Sequence, residues 1–349
     1  MIDADILSSL DMIRDSARGI VTRGDLSRIR NLRYEAPGFD RAVWSEMCEL
    51  GWPALRLPED KGGVELGLLA YAALAEELGR GLVPEPLIPA LLASSLLEGE
   101  ALEAHLTGEK LVIPAWQDAR GTLAPQGPLS MADGKLTATK LYVSAGADAF
   151  LVIGEGQAAL VEADAPGVTV ESFGAQDGSS MVTLKIDAAA CTAWDADAAP
   201  ALAEAALASA AYLLGTMQTA VEMTVDYLKT RVQFGKTIGN FQILQHMAVD
   251  MKLETEVVSA SIEQAALQWD EEGPTAGAYA SISRAKARAA TAAMKVARNA
   301  VQLHGGIGFT DEHDIGLCLR KAMVMAPAFG GARQHRANFA RLTPITEEA

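Results

Sequence analysis

The spacing of apolar residues changes twice along the chain, and these changes constrain the fold more than any other feature of the sequence. Up to about Gly108, apolar residues recur at helical intervals between Gly and Pro breaks, which predicts a set of short helices. Over residues 111–190, short β-rich segments alternate with Asp-Gly, Gly-Gln and Pro-Gly turns, a pattern typical of a small antiparallel barrel or sandwich. From Ala201 longer apolar stripes return, and a further helix from about Asp311 is expected to complete a four-helix bundle.

These three regions predict an α+β chain of three domains. The expected bounds are 1–110 for an N-terminal helical domain, 111–196 for a middle β domain and 197–349 for the C-terminal four-helix bundle. A chain of 349 residues, of which 50% are hydrophobic, has enough apolar material to bury a core in each domain.

The charge and the cysteines exclude several functions. The sequence has 29 Lys and Arg against 45 Asp and Glu, and its net charge of −16 disfavours binding to nucleic acid or to an anionic membrane surface. The 3 cysteines lie far apart without a CxxC pair, which favours free thiols in a reducing compartment. The first residues do not resemble a secretory signal, and no apolar run is long enough for a membrane span. We therefore expect a soluble, cytoplasmic protein.

The sequence contains no familiar metal or hydrolase motif. HExxH, GxSxG, a Walker A loop and a GxGxxG after a strand are all missing. The histidines do not have metal-ligand spacing, so we expect them on helix surfaces and at helix caps, and we expect no metal site. They are His105, His246, His304, His313 and His335.

Two polar clusters in the C-terminal region suggest a site for a diphosphate. The first is residues 231–236, followed by Phe241 and Gln242; it offers an Arg and backbone amides for a phosphate, and a Phe for a ring. The second is residues 302–308, whose glycines let the backbone approach an anion. Each cluster alone fits an ordinary helix-ending turn better. Together, on an acidic chain, they favour a dedicated diphosphate site.

The same segments resemble the acyl-CoA dehydrogenase family. In the C-terminal region the resemblance lies in residues 227–242, 248–251 and 302–310. Residues 50–63 and 76–80 resemble the helical domain at the N-terminus of that family. The resemblance covers nearly the whole chain and implies the acyl-CoA dehydrogenase-like fold.

Members of this family bind FAD, oxidise an acyl-CoA thioester to the 2,3-enoyl-CoA and pass electrons to an electron-transfer flavoprotein. A carboxylate takes a proton from the carbon next to the thioester carbonyl, while hydride leaves the next carbon for flavin N5. The resemblance implies that eight positions hold the ADP half of FAD, which in the family is mainly the FAD of the neighbouring subunit. They are Arg231, Gln233, Phe234, Phe241, Gln242, Gln302, Gly305 and Gly306.

The positions of the catalytic base depart from the family pattern. After an Arg equivalent to Arg320 the family has Tyr-Glu-Gly-Thr, with Glu as the base, whereas this chain has Phe329 in place of that Glu. A second base position used in the family falls at Ala205. Glu204 is adjacent, but it lies about 100° further around the helix. We therefore expect Glu204 to be solvated, and we assign no catalytic residue.

The segments of the β domain that correspond to flavin-binding segments of the family also depart from the family pattern. The family's Thr-Glu-Pro-x-x-Gly-Ser-Asp segment is replaced by Ala-Trp-Gln-Asp-Ala-Arg-Gly at residues 115–121. The family's Trp-Ile-Thr flavin contact is replaced by Tyr142, Val143 and Ser144. Tyr142 either stacks on a ring or takes a core position in a strand.

The losses concern the flavin ring and the reacting carbons, whereas the residues for a neighbour's ADP are kept. In this the chain resembles the smaller, base-less subunit of heteromeric bacterial acyl-CoA dehydrogenases that act on steroid side chains. We expect an α2β2 complex with a catalytic partner subunit, FAD, a bulky acyl-CoA and an electron-transfer flavoprotein. Two alternatives stay open: a self-sufficient homo-oligomer with Glu204 as a displaced base, and a flavin-free assembly scaffold.

Overall fold

The computed structural model describes residues 4–344, and the side chains of residues 7–344. Contacts between residues divide the chain into two compact units. The first contains the described residues of Met1–Arg30, Leu68–Val83 and Ala206–Ala349. The second contains Asn31–Gly67 and Pro84–Ala205.

Short helices form the N-terminal region, as the sequence predicts. They are α1 (Ala4–Ala17), α2 (Ser27–Leu32), α3 (Arg41–Glu49), α4 (Leu68–Arg80), α5 (Leu87–Ser94) and α6 (Gly99–Leu106). Helix α3 begins after Asp40, whose carboxylate accepts a hydrogen bond from the Ala42 amide at 2.8 Å. The same helix buries Trp44 and Met47 on one face.

Eight strands in two four-stranded sheets form the middle β domain. The strands are β1 (Val112–Ala115), β2 (Ser130–Ala132), β3 (Lys135–Ser144), β4 (Ala149–Gly154), β5 (Gln157–Glu162), β6 (Val168–Gly174), β7 (Ser180–Ala190) and β8 (Thr192–Asp195). One sheet has the order β1-β4-β5-β8 and the other β2-β3-β7-β6. Strands β1 and β4 pair in parallel with Val112 opposite Ala149, and the other pairs of the two sheets are antiparallel.

Long helices form the C-terminal region. They are α7 (Ala199–Thr230), α8 (Gln242–Glu272), α9 (Ala276–His304), α10 (Ile315–Met325) and α11 (Ala332–Leu342). The further helix expected from about Asp311 is present as α10, and a second helix that was not predicted, α11, follows it. Between them Phe329 has a φ of 54° and Gly330 a φ of 97°, left-handed conformations that a right-handed helix cannot continue through.

The fold class is confirmed: a helical N-terminal domain, a middle sheet domain and a C-terminal helical bundle follow one another along the chain. The domain bounds at 110 and 196 stay a prediction. Within residues 4–344, none of the helices combines the length and the apolar character needed to cross a membrane.

Helices α4 and α7 pack with their backbones almost in contact inside the first unit. A Cβ on Gly79 would overlap the carbonyl of Tyr212, and a Cβ on Gly215 would overlap the carbonyl of Glu76. Two hydrogen bonds cross the same contact. Tyr212 Oη donates to the Val83 carbonyl at 2.9 Å, and Thr219 Oγ1 donates to the Arg80 carbonyl at 2.8 Å. The absence of side chains on both glycines permits this close approach.

Three histidines are buried, so their expected placement on helix surfaces is wrong, although His304 does occupy the cap position of the 3-10 turn Gly305–Phe309. The exposed fractions are 0% for His105, 3% for His304 and 4% for His335. A ring nitrogen of each lies within hydrogen-bond distance of a backbone carbonyl: Ala90 for His105, Ala300 for His304 and Phe329 for His335. Such a bond satisfies an N–H that burial removes from water, which a sequence pattern does not reveal.

Candidate cofactor site

The first predicted cluster forms a small hairpin after α7. Strands β9 (Val232–Gln233) and β10 (Lys236–Thr237) pair antiparallel. At the turn Phe234 has a φ of 54° and Gly235 a φ of 77°. This left-handed turn directs the Phe234 ring outward, and the residue is 89% exposed.

Aromatic rings and cations lie side by side at this hairpin. The rings of Phe234 and Phe241 meet edge to face, with centroids 6.1 Å apart. Lys236 Nζ lies 4.3 Å from the centroid of the Phe241 ring. Arg231, at the end of α7, is exposed as well. The hairpin therefore offers two positive charges and two ring faces to a ligand.

The second predicted cluster forms a 3-10 turn after α9. The turn spans Gly305–Phe309, and Gly305 has a φ of 64°. A Cβ built on Gly305 or Gly306 would meet no heavy atom within 4 Å, so the space above these amides is open. Gln302 is exposed on the last turn of α9. Open backbone amides next to a polar side chain suit an anionic oxygen.

The tertiary structure brings the two clusters together at adjoining ends of α7 and α9. Tyr227, four residues before Arg231, stacks on His304, two residues after Gln302, with ring centroids 4.5 Å apart. His313 completes the group, 4.5 Å from His304 and 6.1 Å from Tyr227. We call these three residues the Tyr-His-His stack. Sequence reasoning missed it, since only the match of Tyr227 to the family motif hinted at a role.

The residues present fit the ADP half of a dinucleotide. A guanidinium and open amides match a diphosphate, and exposed aromatic rings match an adenine. None of the eight predicted residues is buried within this chain: six are exposed, and Phe241 and Gly305 are intermediate. A second surface is needed to cover a ligand held there. The assignment of these residues to FAD stays a prediction.

The position expected for a catalytic base carries no proton acceptor. Phe329 occupies it, and its carbonyl lies 2.9 Å from Nε2 of the buried His335. His335 Nδ1 lies 3.4 Å from Ser283 Oγ, which accepts a hydrogen bond from Asn338 Nδ2 at 2.8 Å. These contacts hold the Phe329 backbone without supplying a carboxylate.

Glu204 is not solvated, contrary to our expectation. Its side chain is 15% exposed and accepts two hydrogen bonds from Arg56, at 3.0 Å from Nε and 2.5 Å from a terminal nitrogen. Arg56 also donates to the Leu66 carbonyl at 2.6 Å. The two partners are 148 residues apart, so the pair was not visible in the sequence. A carboxylate bound in this way is a poor candidate for a free base.

We expect Glu204→Gln to lower the free energy of unfolding by about 1–2 kcal/mol, because it weakens a partly buried charge pair. The matched control is Glu222→Gln, whose carboxylate is 62% exposed beside Arg80, with an expected change below about 0.5 kcal/mol. Urea unfolding measures both. An unaltered stability of Glu204→Gln together with lost dehydrogenase activity of the isolated chain would instead identify Glu204 as a base.

In the second unit, the segment that replaces the family's flavin cradle is bound to strand β3. The buried Lys140 donates to Asp118 at 2.5 Å and to the Ile153 carbonyl at 2.9 Å. Arg120 donates to the Tyr142 hydroxyl at 3.2 Å. Tyr142 itself is 37% exposed with a φ of 57°, so the core position considered for it is wrong.

Comparisons with known proteins agree with this fold. The family profile of the acyl-CoA dehydrogenase N-terminal domain matches residues 8–105, and that of the C-terminal domain matches residues 195–342. Together with the order of helical, sheet and helical domains, these matches define the class as a flavin-dependent oxidoreductase. The chain belongs to the acyl-CoA dehydrogenase family, whose cofactor is FAD.

The similarity extends over whole proteins. Acyl-CoA dehydrogenase IpdE2 of Mycolicibacterium smegmatis is 30% identical over 331 residues, covering 93% of this chain and 95% of that protein. A solved structure of a Tcur3481–Tcur3483 steroid ACAD variant is 28% identical with a TM-score of 0.85, covering 97% of each chain. The ChsE4–ChsE5 complex of Mycobacterium tuberculosis is 25% identical with a TM-score of 0.84, covering 99% of each chain.

Proposed function

We propose that this chain is the non-catalytic subunit of a heteromeric, FAD-dependent acyl-CoA dehydrogenase, and that it supplies the ADP-side contacts of an FAD shared with a catalytic subunit. The main support for this proposal is a contrast between two sets of positions within the first unit. The eight predicted ADP contacts are all at least partly exposed, whereas the predicted base position is Phe329. The chain can thus present its half of a site to another subunit but has no carboxylate at that position.

The names of the relatives support a steroid-type complex of unlike subunits. One solved relative is named a Tcur3481–Tcur3483 steroid ACAD, and another is a complex of ChsE4 and ChsE5. By analogy we propose an α2β2 complex in the cytoplasm that forms a 2,3-enoyl-CoA from a bulky, steroid-type acyl-CoA and passes electrons to an electron-transfer flavoprotein.

Each group of this chain has a defined task in the proposal. Arg231 forms charge-assisted hydrogen bonds to the diphosphate, and the amides of Gly305 and Gly306 donate to its other oxygens. The rings of Phe234 and Phe241 pack against the adenine. When bound, FAD supplies the hydride acceptor, and the partner subunit supplies the base.

Co-expression with a dehydrogenase encoded beside this chain tests the proposal. We expect a yellow, active complex only when both chains are produced, and neither flavin nor activity in this chain alone. Native mass measurement and the FAD content per chain give the stoichiometry. Flavin-containing, active protein from the single chain would contradict the proposal, and a colourless complex would instead support an assembly scaffold.

Within that complex, Arg231→Ala is expected to weaken FAD binding about tenfold or more, the effect of losing hydrogen bonds to a charged group. The matched control is Arg284→Ala, an exposed arginine of α9 that donates to Gln264 at 3.0 Å. Flavin fluorescence during dilution or dialysis measures the affinity. Equal FAD binding by both variants would exclude Arg231 from the site.

A further inference from the structure

The Tyr-His-His stack joins the two candidate ADP-binding segments. Tyr227 is on α7 one helical turn before Arg231, and His304 is the last residue of α9, immediately before Gly305. The interplanar angle between their rings is 25°, a stacked arrangement. The stack is a direct side-chain contact between the segment that carries Arg231 and the segment that carries Gly305 and Gly306. The His304 ring therefore links the position of the glycine turn to that of the arginine.

The hydrogen bonds of His304 define its tautomer. Nδ1 lies 2.8 Å from the Ala300 carbonyl and must carry a proton to donate to it. Nε2 is buried and has no hydrogen-bond partner among the described residues. Nε2 as a bare lone pair is tolerable in apolar surroundings. A second N–H at that position would be a buried donor without an acceptor, and the ring would carry a buried charge.

Further groups face the stack from neighbouring segments. His313 is held by the Ile315 amide, which donates to its Nδ1 at 3.1 Å. The adjacent Asp314 forms an ion pair with Arg30 of α2. Burial lowers the pKa of His304, and the nearby His313 lowers it further. The pKa of His313 is also lowered by burial, with Asp314 opposing and Arg30 adding to the shift. Both rings are therefore neutral at neutral pH.

We infer that His304 is a positioning residue for the ADP half of FAD: its neutral ring, stacked on Tyr227 and tilted against His313, holds the amides of Gly305 and Gly306 in place relative to Arg231. This inference rests on the proposed function. It adds a consequence, because protonation of the stack at acid pH places two positive rings 4.5 Å apart and loosens the turn. Because the pKa values of both histidines are lowered, FAD affinity then falls only at a pH below the ordinary histidine pKa of about 6.5.

The test measures the FAD dissociation constant of the co-expressed complex by flavin fluorescence between pH 5.5 and 8. His304→Ala removes the stacked ring, and we expect about fivefold weaker binding at pH 8. His304→Phe keeps a ring but cannot be protonated. We expect it to bind FAD nearly as tightly as the native complex at pH 8 and to lose part of the weakening at pH 5.5. Circular dichroism checks that each variant is folded.

The controls separate this inference from the proposed function. If Arg231→Ala weakens FAD binding and His304→Ala does not, the proposed function stands and the positioning role is wrong. If neither variant weakens binding, the assignment of the ADP site to this chain is wrong. If His304→Phe keeps the full pH dependence of the native complex, protonation of His304 does not act on the site. Should His304→Ala fail to fold, the pH profile of His304→Phe decides.

Discussion

Replacing Gly79 by Ala should lower the stability of the protein by about 3 kcal/mol, at the upper end of the cost of an overpacked core. The added Cβ would overlap the Tyr212 carbonyl, which is part of the α7 backbone and cannot rotate away. The two helices must separate, and the hydrogen bonds from α7 to the Val83 and Arg80 carbonyls lengthen with them. Gly215→Ala meets the Glu76 carbonyl and should have a similar effect.

A third glycine provides the control. Gly316 lies in α10, and a Cβ on it would meet its nearest heavy atom, the Gly308 carbonyl oxygen, at an ordinary 3.9 Å. Gly316→Ala should therefore be neutral or stabilising by up to about 1 kcal/mol, the difference in helix propensity. Thermal unfolding distinguishes the variants, with an expected decrease in Tm of roughly 4 °C for Gly79→Ala. An unchanged Tm for this variant would contradict the close packing of α4 and α7.

Acid should destabilise the protein through His335. Burial, together with a smaller effect of the nearby Lys286, lowers the pKa of this residue to about 4. The unfolded chain, with an ordinary pKa of 6.5, binds more protons between pH 6.5 and 4 than the folded chain. The contribution of neutral His335 is thus complete above pH 6.5 and is lost as the pH falls towards 4. A difference of this size corresponds to at most about 3 kcal/mol.

Urea unfolding at several pH values between 4.5 and 7.5 measures this effect. His335→Gln keeps an amide donor for the Phe329 carbonyl but cannot be protonated, so the decrease in stability at acid pH should become smaller. The exposed His246 on α8 is the matched control, and His246→Gln should keep the native slope. An identical pH dependence of the native protein and His335→Gln would contradict the buried, neutral state of His335.

Lys286 changes its protonation in a different pH range from His335. Its ammonium is fully buried, donates to the Met325 carbonyl at 3.0 Å, and has a pKa lowered to about 7 by burial. The carbonyl belongs to the last residue of α10, where a helix presents unsatisfied acceptors. Lys286 therefore titrates at a higher pH than His335, and the acid transition can be attributed to the histidine.

Local patterns predicted most of the architecture. The period of apolar residues changes from helical to β and back, and each helix or strand needs only this pattern to select its conformation and its buried face. The break between α10 and α11 was missed because Phe329 does not signal a left-handed conformation, as Gly does. The role of Gly79 and Gly215 at the contact of α4 and α7 was not visible in the sequence either.

The candidate site, too, was visible in the sequence only in part. Arg231, Phe234 and the glycines after Gln302 could be found in the sequence because each group is contiguous and resembles a family motif. That both groups lie at one place depends on Tyr227 and His304, which are distant in sequence and meet only because α7 and α9 end side by side. Apart from the match of Tyr227 to the family motif, nothing in the sequence indicated their stack, or that Nε2 of His304 has no hydrogen-bond partner among the described residues.

The sequence by itself determined the class of fold, the family and the loss of a carboxylate at Phe329, since all three depend on residue identity and local order. Only the tertiary structure decided which polar side chains are buried and with what they pair. It placed Glu204 in an ion pair with Arg56 and left the predicted ADP contacts uncovered. The physical reason is that burial and pairing depend on neighbours contributed by distant segments, which no local pattern specifies.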